Sequence, residues 1–439
     1  MNVSELAVCL QKKFGETADR VAKETGFIKR QRKVSGANFV QTLVFGWLGN
    51  AEASLTALAG AAHVRHLKIS AQGLHKRFTQ AAANFCKRLL EQMLKEKVMA
   101  SQGVKTALLD RFAEIRLIDT TVNALPALFN EQWPGTGAGD GQSNQAALKV
   151  EASLDLKRGA LQGSLLPGKT NDNQGPLAQA NLPPGSLQVA DLGYFSLERM
   201  ARLDAQGGYW LSRLRHDTLI HDAQGQPVDL LAALPACSGA QTEWPVQLGH
   251  RHLPARLLVC RVPEEVAGQR RRKLRRERQD KGRTPSRRSL KLCGWTLLIT
   301  NAPPDKISQE DALVLYGSRW QIELTFKLWK QHMKIDQSVS HNPWRLVCEM
   351  YIKLMAALAQ HWVVVSSPCW QRLDKSLVKA YKVIASQAAC LSSAFDSLPQ
   401  LVAVLKKVGE ILFAVCRQNN RKKNRNTWKK LATGVSGWA

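Results

Sequence analysis

The sequence predicts a mixed α/β protein, in which an α/β core is interrupted by an insertion and flanked by helical regions. Two apolar strand segments, residues 115–119 and 187–191, each end in an aspartate, and a helix and a returning strand (209–214) follow the second. Strands that alternate with helices are typical of α/β sheets. Apolar residues recur at helical spacing in the first hundred residues and again after Ser308.

Residues 1–105 are predicted to form a helical domain. Segments 52–62 and 70–81 are amphipathic, and Ser70 is suited to cap the second one. The pair resembles a helix-turn-helix, whose second helix would bring Lys76 and Arg77 to a major groove. Two amphipathic helices of a plain bundle fit the same pattern.

The predicted core falls into two parts, residues 106–214 and 293–365, which flank an insertion at 215–292. In the first part, segments 148–156 and 160–166 alternate apolar and polar residues on either side of a Lys-Arg-Gly turn. This pattern predicts a β-hairpin.

The insertion combines short strand candidates, such as residues 255–262, with a very basic run at 270–278. A strand at 292–300 returns to the core, and a long helix follows, with Ser308 and the acids after it suited to its first turn. Residues 366–439 are predicted to be a further helical region with a basic tail.

The charge balance points to a polyanionic partner. Lys and Arg number 62 against 35 Asp and Glu, which gives a net charge of +27 and a pI near 10.0. Nucleic acid fits better than a membrane surface, because neither end carries a basic amphipathic anchor. A basic surface that only confers solubility is the alternative. The basic tail at 417–430 is expected to be disordered.

Membrane and redox features indicate a cytoplasmic protein. No apolar run reaches the roughly 18 residues that span a bilayer, and the nearest candidate, 354–365, is interrupted by Gln360 and His361 and reads as a buried helix. The N-terminus lacks a signal-peptide pattern. None of the nine cysteines forms a CxxC pair, which disfavours a structural zinc site and predicts reduced core thiols.

Four chemically suitable residues share one face of the helix after Ser308. Tyr316, Arg319, Glu323 and Lys330 lie within about 60° of one another at 100° per residue. Glutamate can ligate Mg²⁺, while the basic and phenolic groups can hold phosphates. A solvated stripe with an Arg319–Glu323 ion pair explains the same spacing.

The two strand-end aspartates favour a metal site. Asp119 and Asp191 each end an apolar strand, where an acid needs a partner or a cation. If the strands are neighbours, both carboxylates lie at one sheet edge, and a packed helix can bring Glu323 to them. Two Mg²⁺ ions about 4 Å apart can then activate the attacking oxygen and stabilise the leaving oxygen of a phosphoryl transfer.

These residues also carry a family resemblance. The spacing Tyr316-x2-Arg319-x3-Glu323-x6-Lys330 resembles the Y-R-E-K signature of the insertion-sequence-four family of DDE transposases. The segments I-D-T-T (118–121) and A-D-L-G-Y-F (190–195) are similar to that family's first and second catalytic blocks. The resemblance covers about residues 110–340.

The resemblance implies an RNase H-like catalytic core with a β-rich insertion and a prokaryotic, nucleoid-associated enzyme. It implies cut-and-paste transposition: nicking at transposon ends, hairpin formation and opening, and strand transfer into target DNA. Asp119, Asp191 and Glu323 would ligate two Mg²⁺ ions, for which Mn²⁺ can substitute. Tyr316, Arg319 and Lys330 would contact phosphates of the terminal inverted repeats. The enzyme would act as a homodimer in the synaptic complex.

Two further contacts are expected with DNA. Related transposases stack a flipped base on a tryptophan near the position of Trp295, for which the alternative is a core tryptophan in a sheet. The basic run is expected to lie along DNA phosphates. The alternative is a solvated face that makes no contact with DNA. The predicted contacts in this run are Arg270, Arg271, Arg272 and Lys273.

Two other functions fit the sequence. A structure-specific nuclease could use the same core, and only strand transfer would separate it from a transposase. A DNA-binding repressor descended from a transposase is the non-enzymatic alternative, but a protein that only binds DNA would not need the three carboxylates.

Overall fold

A computed structural model describes residues 1–30, 33–136, 146–234, 241–280, 282–338, 340–419 and 426–433. The chain divides into two compact units. Unit 1 consists of Met1–Lys105, Asp119–Leu177 and Trp320–Lys429. Unit 2 consists of Thr106–Ile118 and Ala178–Arg319, with the described residues from Lys430 on. Within these described ranges, none of the helices combines the length and apolar character of a membrane span.

The first hundred residues are helical, as predicted. Side-chain caps begin several of the helices: Ser54, Ser70 and Thr79 each accept a hydrogen bond from the backbone N–H three residues later. The helices are α1 (Val3–Lys12), α2 (Ala18–Glu24), α3 (Gly36–Gly49), α4 (Leu55–Val64), α5 (Ala71–His75) and α6 (Gln80–Leu94), with a π-helical turn at Lys13–Thr17.

The helix predicted at 70–81 is shorter than expected. It ends at His75 after five residues, and the next helix begins at Gln80. Thr79 caps α6, and its extended backbone prevents the two helices from joining. Lys76 and Arg77 therefore lie in the connection between α5 and α6, and not on the face of a second helix.

The described strands form one mixed sheet, in the order β3-β2-β1-β4-β5-β9-β8-β7-β6. Strand β4 pairs in parallel with β1 and with β5. The pairs β2–β3, β5–β9, β9–β8, β8–β7 and β7–β6 are antiparallel. The strands are β1 (Ile115–Leu125), β2 (Ala146–Asp155), β3 (Leu161–Pro167), β4 (Leu187–Ala190), β5 (Tyr209–Arg213), β6 (Ile220–His221), β7 (Gln241–Leu248), β8 (Leu253–Arg261) and β9 (Trp295–Thr300). The mixed sheet agrees with the RNase H-like core that the resemblance implies.

The predicted hairpin is confirmed, and the two aspartate strands are neighbours, which is the condition that the metal-site hypothesis required. Strands β2 and β3 pair antiparallel across the turn that contains Gly159, whose φ of 73° favours glycine. Strand β1 does not end at Asp119, as the sequence indicated, but continues to Leu125. The β-branched residues after Asp119 suit this extension.

Unit 2 contains a core that lies against its part of the sheet. The fully buried Ile299, Leu257 and Leu248 belong to this core, together with Leu203 and Trp210. The helices between Pro176 and Ser318 are α7 (Pro176–Gln179), α8 (Leu197–Ala205), α9 (Leu230–Ala233), α10 (Glu264–Gln279), α11 (Arg287–Leu292) and α12 (Gln309–Ser318). The predicted insertion therefore holds helices as well as strands, and its basic run forms α10.

Unit 1 ends in helices that surround one long buried helix, α14. This helix contains the apolar segment 354–365, which is buried as predicted. The Gln360 amide donates a hydrogen bond to the Tyr381 carbonyl, and the His361 ring donates one to the Gly159 carbonyl. The helices are α13 (Trp320–His332), α14 (Pro343–Ser366), α15 (Leu377–Ser386), α16 (Ala388–Ala394), α17 (Leu398–Val415) and α18 (Thr427–Thr433).

The expectation of a disordered basic tail was wrong for its described residues. Arg417 forms a β-bridge with Lys375, and α18 buries Trp428. The ammonium of Lys375 lies 3.4 Å from the centroid of the Trp428 ring and 4.8 Å from that of Trp370. Aromatic and cation–π contacts hold this part of the tail. Tail residues 420–425 lie outside the described residues.

The cysteines are only partly core thiols. Cys86, Cys348, Cys369 and Cys416 are buried and free, whereas Cys390 is exposed. Cys237 lies outside the described residues.

Candidate active site

Asp119 and Asp191 follow the same registered pair of the two parallel strands β1 and β4. The printed register ends with Ile118 opposite Ala190, and each aspartate is the next residue of its strand segment. Both aspartates are half-buried. The two strands are therefore neighbours, which is the condition under which both carboxylates were expected at one edge of the sheet.

The local chain orients each aspartate separately. The carboxylate of Asp119 accepts a hydrogen bond from the Thr120 N–H at 2.8 Å. The carboxylate of Asp191 caps a 3-10 turn, Leu192–Tyr194, by accepting from the Gly193 N–H at 2.8 Å. Backbone donors of this kind fix the direction of one carboxylate oxygen.

Unit 2 brings Tyr316 into electrostatic contact with Asp191 and two arginines. Burial raises the pKa of the Tyr316 phenol above its ordinary value, the Arg319 and Arg213 guanidinium groups lower it, and the Asp191 carboxylate adds to the rise. The Arg319 guanidinium carbon lies 5.9 Å from the Tyr316 ring centroid. The phenol therefore stays protonated near neutral pH and can donate a hydrogen bond to an anion.

The predicted single helix through the signature is divided at Arg319. Helix α12 ends at Ser318, and the Arg319 N–H bonds to the Tyr316 carbonyl three residues back. Gly317 weakens the helix, and the Ser318 hydroxyl binds the Leu315 carbonyl, which competes with helical bonding. Tyr316 and Arg319 consequently belong to unit 2, whereas the rest of the signature belongs to unit 1.

Glu323 and Lys330 lie on α13, which packs against β2 within unit 1. The Lys330 ammonium donates a hydrogen bond to the Val122 carbonyl oxygen at 3.1 Å. Val122 lies in β1, three residues after Asp119. One signature residue is therefore attached to the strand that carries the first aspartate.

A cavity of about 590 Å³ opens in unit 2 beside the residue that follows Asp191. Its wall combines apolar and basic side chains with the Glu277 carboxylate. Sequence reasoning missed Arg213, which belongs to no spaced motif, and Leu192, although the A-D-L-G-Y-F segment contains it beside Asp191. Lining residues include Leu192, Arg213, His216, Arg270, Lys273, Arg278 and Trp295.

Trp295 is half-buried at the start of β9 and has two environments. One side lines the cavity, and the residue also packs against the unit 2 core. The Arg261 guanidinium, on the opposite strand position, lies 5.9 Å from the Trp295 ring centroid. The position is compatible with a stacking platform and with a partly structural role.

The predicted basic contacts in α10 differ in their surroundings. The Arg270 guanidinium donates to the Trp295 carbonyl and the Thr296 hydroxyl, both at 3.0 Å, and Arg271 pairs with Glu264. Arg272 and Lys273 are exposed. The ion pair between Lys273 and Glu277, at 3.7 Å, has a 79% exposed lysine, so it holds that side chain weakly.

A ready-made metal centre is not visible among the described side chains. In those ranges, no group of three or more His, Cys, Asp and Glu side chains is placed to hold one ion. The donor chemistry of Asp119, Asp191 and Glu323 nevertheless fits Mg²⁺, which prefers hard carboxylate oxygens.

Comparison with known proteins identifies the family. Residues 110–359 match the family described as Transposase DDE domain. The chain is 30% identical to the transposase for insertion sequence element IS231D of Bacillus thuringiensis subsp. finitimus, over 93% of this chain and 89% of the relative. The same values hold for the IS231C transposase of B. thuringiensis subsp. berliner. The IS1151 transposase of Clostridium perfringens is 26% identical over 80% of this chain and 78% of its own.

The matched domain and the full-length relatives account for a DNA-cleaving and strand-transferring enzyme, and not for a protein that only binds DNA. The match spans β1, β4, the signature helices and most of α14. The chain therefore belongs to the DDE transposases of bacterial insertion sequences.

Proposed function

We propose that Asp119, Asp191 and Glu323 are the catalytic metal ligands of this transposase. Enzymes with this domain generally depend on divalent metal ions, and the proposed ions are two Mg²⁺, which Mn²⁺ can replace. The β1–β4 register carries the proposal, because both aspartates follow one registered pair of residues. Neighbouring strands lie about 4.8 Å apart, so carboxylates at one register position can reach a common ion.

The contact of α13 with β1 supports the assignment of Glu323. Lys330 binds Val122, and Glu323 precedes Lys330 by two helical turns, or about 10 Å. Asp119 precedes Val122 by three strand residues, which is also about 10 Å. A helix that runs along β1 in the same direction brings Glu323 level with Asp119.

The proposed role of each residue follows from the charge of its side chain. Bound ions would activate the attacking oxygen and stabilise the leaving oxygen of each phosphoryl transfer. Tyr316, kept protonated, and Arg319 would hold a phosphate of the transposon end beside Asp191. Lys330 would contact a further phosphate with the donors that its bond to Val122 does not use.

The proposed reaction is cut-and-paste transposition of an insertion sequence. Each transposon end is nicked, the freed 3′-hydroxyl forms a hairpin with the opposite strand, the hairpin is reopened, and the 3′-hydroxyl joins target DNA. The unit 2 cavity would accept the base that a tight hairpin displaces, with Trp295 as its stacking surface.

The proposed substrate is double-stranded DNA with terminal inverted repeats, bound by a homodimer. In this proposal residues 1–105 bind the ends, 106–214 and 293–365 form the catalytic core around the 215–292 insertion, and 366–439 serve dimerisation. Transposases act on DNA, and the charge of +27 supports phosphate contacts over a large surface.

Three single substitutions test the metal-ligand assignment. Asp119→Asn, Asp191→Asn and Glu323→Gln should each abolish Mg²⁺- and Mn²⁺-dependent nicking of a transposon-end duplex while gel-shift binding persists. The reason is that ligation serves the transition state, whereas basic groups supply most of the affinity. Asp217→Asn and Glu310→Gln change exposed acids and should leave nicking intact. If any of the three variants nicks the duplex at the wild-type rate, the residue substituted in that variant is not a metal ligand.

A further inference from the structure

A hydrogen-bonded chain connects a buried lysine of β2 to the first proposed metal ligand. The Lys149 ammonium binds the Asp172 carboxylate at 2.7 Å, and the same carboxylate oxygen accepts the Thr120 hydroxyl at 3.1 Å. The Thr120 N–H in turn donates to Asp119 at 2.8 Å. All four residues belong to unit 1.

We propose that Asp172 and Lys149 are positioning residues for Asp119 and act through Thr120. This proposal rests on the proposed function, in which Asp119 is a metal ligand. Asp119 and Thr120 are consecutive strand residues, so their side chains leave opposite faces of the sheet. The Thr120 N–H is therefore the connection between the network and the carboxylate of Asp119.

The network is rigid because the Lys149 side chain is buried and its ammonium donates hydrogen bonds to both Asp172 and Thr170. The Lys149 side chain is 10% exposed, and its ammonium also donates to the Thr170 carbonyl at 2.5 Å. Only the lysine of this ion pair is buried, since the Asp172 side chain is 28% exposed, and the further hydrogen bond to Thr170 helps to satisfy the buried ammonium. Asp172 is thus held at its position in the turn after β3.

A second contact holds the same turn against β2. Glu151, on the same face of β2 as Lys149, accepts a hydrogen bond from the Leu177 N–H at 3.0 Å. At position 175, a Cβ would overlap the Glu151 carboxylate, so any residue other than glycine would require that carboxylate to move. The turn that carries Asp172 is therefore attached to the strand on both sides of that residue.

The consequence for the metal site is orientation. A carboxylate that ligates a metal must present one oxygen in a fixed direction, and partners of the ligands contribute to metal affinity. The hydrogen bond from the Thr120 hydroxyl to Asp172 fixes the conformation of the Thr120 side chain and backbone. The Thr120 N–H, which donates to Asp119, therefore also has a fixed direction. Without this bond, the Asp119 carboxylate samples other rotations.

The test measures the metal dependence of nicking in single-turnover reactions on a transposon-end duplex. Thr120→Val, which keeps the shape and removes the hydroxyl, should raise the Mg²⁺ concentration for half-maximal nicking by about tenfold. Gel-shift binding should stay unchanged. Thr120→Ser, which restores the hydroxyl, should recover the wild-type metal dependence. Asp172→Ala should reproduce the Thr120→Val effect, and the double variant should be no worse than either single one.

Ser338→Ala is the matched control. Ser338 also donates to a carboxylate, Glu349 at 3.0 Å, that pairs with a buried lysine, Lys353 at 2.7 Å. Its loss should lower thermal stability without changing the metal dependence.

Two results would overturn the proposal. One is a normal metal dependence of both Thr120→Val and Asp172→Ala while Asp119→Asn abolishes nicking, which leaves the metal-ligand assignment standing. The other is a shift of the same size in the metal dependence of Ser338→Ala. That result would mean that the metal dependence responds to any general destabilisation of unit 1. Normal nicking by Asp119→Asn would instead defeat the assignment itself, and the positioning role with it.

Discussion

The Lys330 ammonium in α13 donates a hydrogen bond of 3.1 Å to the Val122 carbonyl in β1. The sequence assigned Lys330 to DNA phosphate, and an ammonium has three donors. One donor is used inside the protein, so the residue can both position α13 and contact DNA.

Substitutions at Lys330 separate these two roles. Lys330→Gln keeps a donor for Val122 and removes the charge, so the salt dependence of end binding should flatten by about 0.9, as for one lost phosphate contact. Lys330→Met removes the donor as well and should slow nicking by a further tenfold or so, because misplacement of Glu323 affects the chemical step. Rates and salt slopes are measured on the same duplex.

Lys327→Met supplies the control, because Lys327 is an exposed lysine of the same helix. If Lys330→Gln and Lys330→Met nick at equal rates, the bond to Val122 has no part in positioning α13.

The surroundings of α10 predict unequal contributions from its basic residues. Arg272→Gln combined with Lys273→Gln removes two exposed charges and should flatten the salt dependence of DNA binding by up to about 1.8. Arg270→Gln combined with Arg271→Gln also removes two charges, but these are bound to β9 and Glu264. This second pair should change the slope less and lower the stability of unit 2 more.

Equal slopes in the two double variants would show that exposure does not decide which of these residues meets DNA. Fluorescence anisotropy over a salt series gives the slopes, and thermal unfolding gives the stabilities.

Local patterns predicted much of the sheet and its caps. Alternation predicted the β2–β3 hairpin, and apolar runs that end in acids predicted β1 and β4 as strands but not their pairing. Ser308 was expected to begin a helix, and it forms a capping box with Asp311. These features depend on residues close in sequence, where periodicity and capping chemistry act.

Other features depend on long-range contacts that a local pattern does not contain. Lys149 and Asp172 meet Thr120 only because the turn after β3 lies against β2. The division of the signature helix at Arg319 follows from Gly317 and the Ser318 hydroxyl, whose effect the strong apolar pattern of both flanking helices obscured.

His361 predicts an acid-sensitive stability. Its ring in α14 binds the Gly159 carbonyl at 2.8 Å, and burial lowers the pKa of His361 to about 4, although this bond acts in the opposite direction. The unfolded chain, with a pKa near 6.5, then binds more protons than the native protein below that pH. The stabilisation is complete above about pH 6.5 and is lost as pH falls toward 4. Between pH 7.5 and 5 the loss should be about 2 kcal/mol.

Urea unfolding of the wild type and of His361→Gln at the two pH values measures this term. Glutamine can still donate to Gly159 but does not titrate, so the variant should lose about 2 kcal/mol less than the wild type over the same interval. An equal loss in both proteins would mean that His361 is not the titrating group.

Trp295 predicts a defect confined to the hairpin step. Unstacking a terminal base costs a few kcal/mol, and an aromatic platform recovers about 1–3 kcal/mol. Trp295→Ala should therefore leave the first nick nearly unchanged and slow hairpin formation by about one to two orders of magnitude. An abasic site near the transposon end, which removes the base that must leave the stack, should partly restore the rate.

Trp244→Ala is the matched control for this step. Trp244 is also a partly buried tryptophan that packs against the unit 2 core, but it is absent from the cavity wall that contains Trp295. Its substitution should destabilise unit 2 and slow nicking and hairpin formation alike, without rescue by an abasic site. If Trp295→Ala behaves in this same way, its ring serves the core and the stacking role is wrong. Single-turnover gels that resolve the nicked and hairpin products distinguish the two results, because each step has its own band.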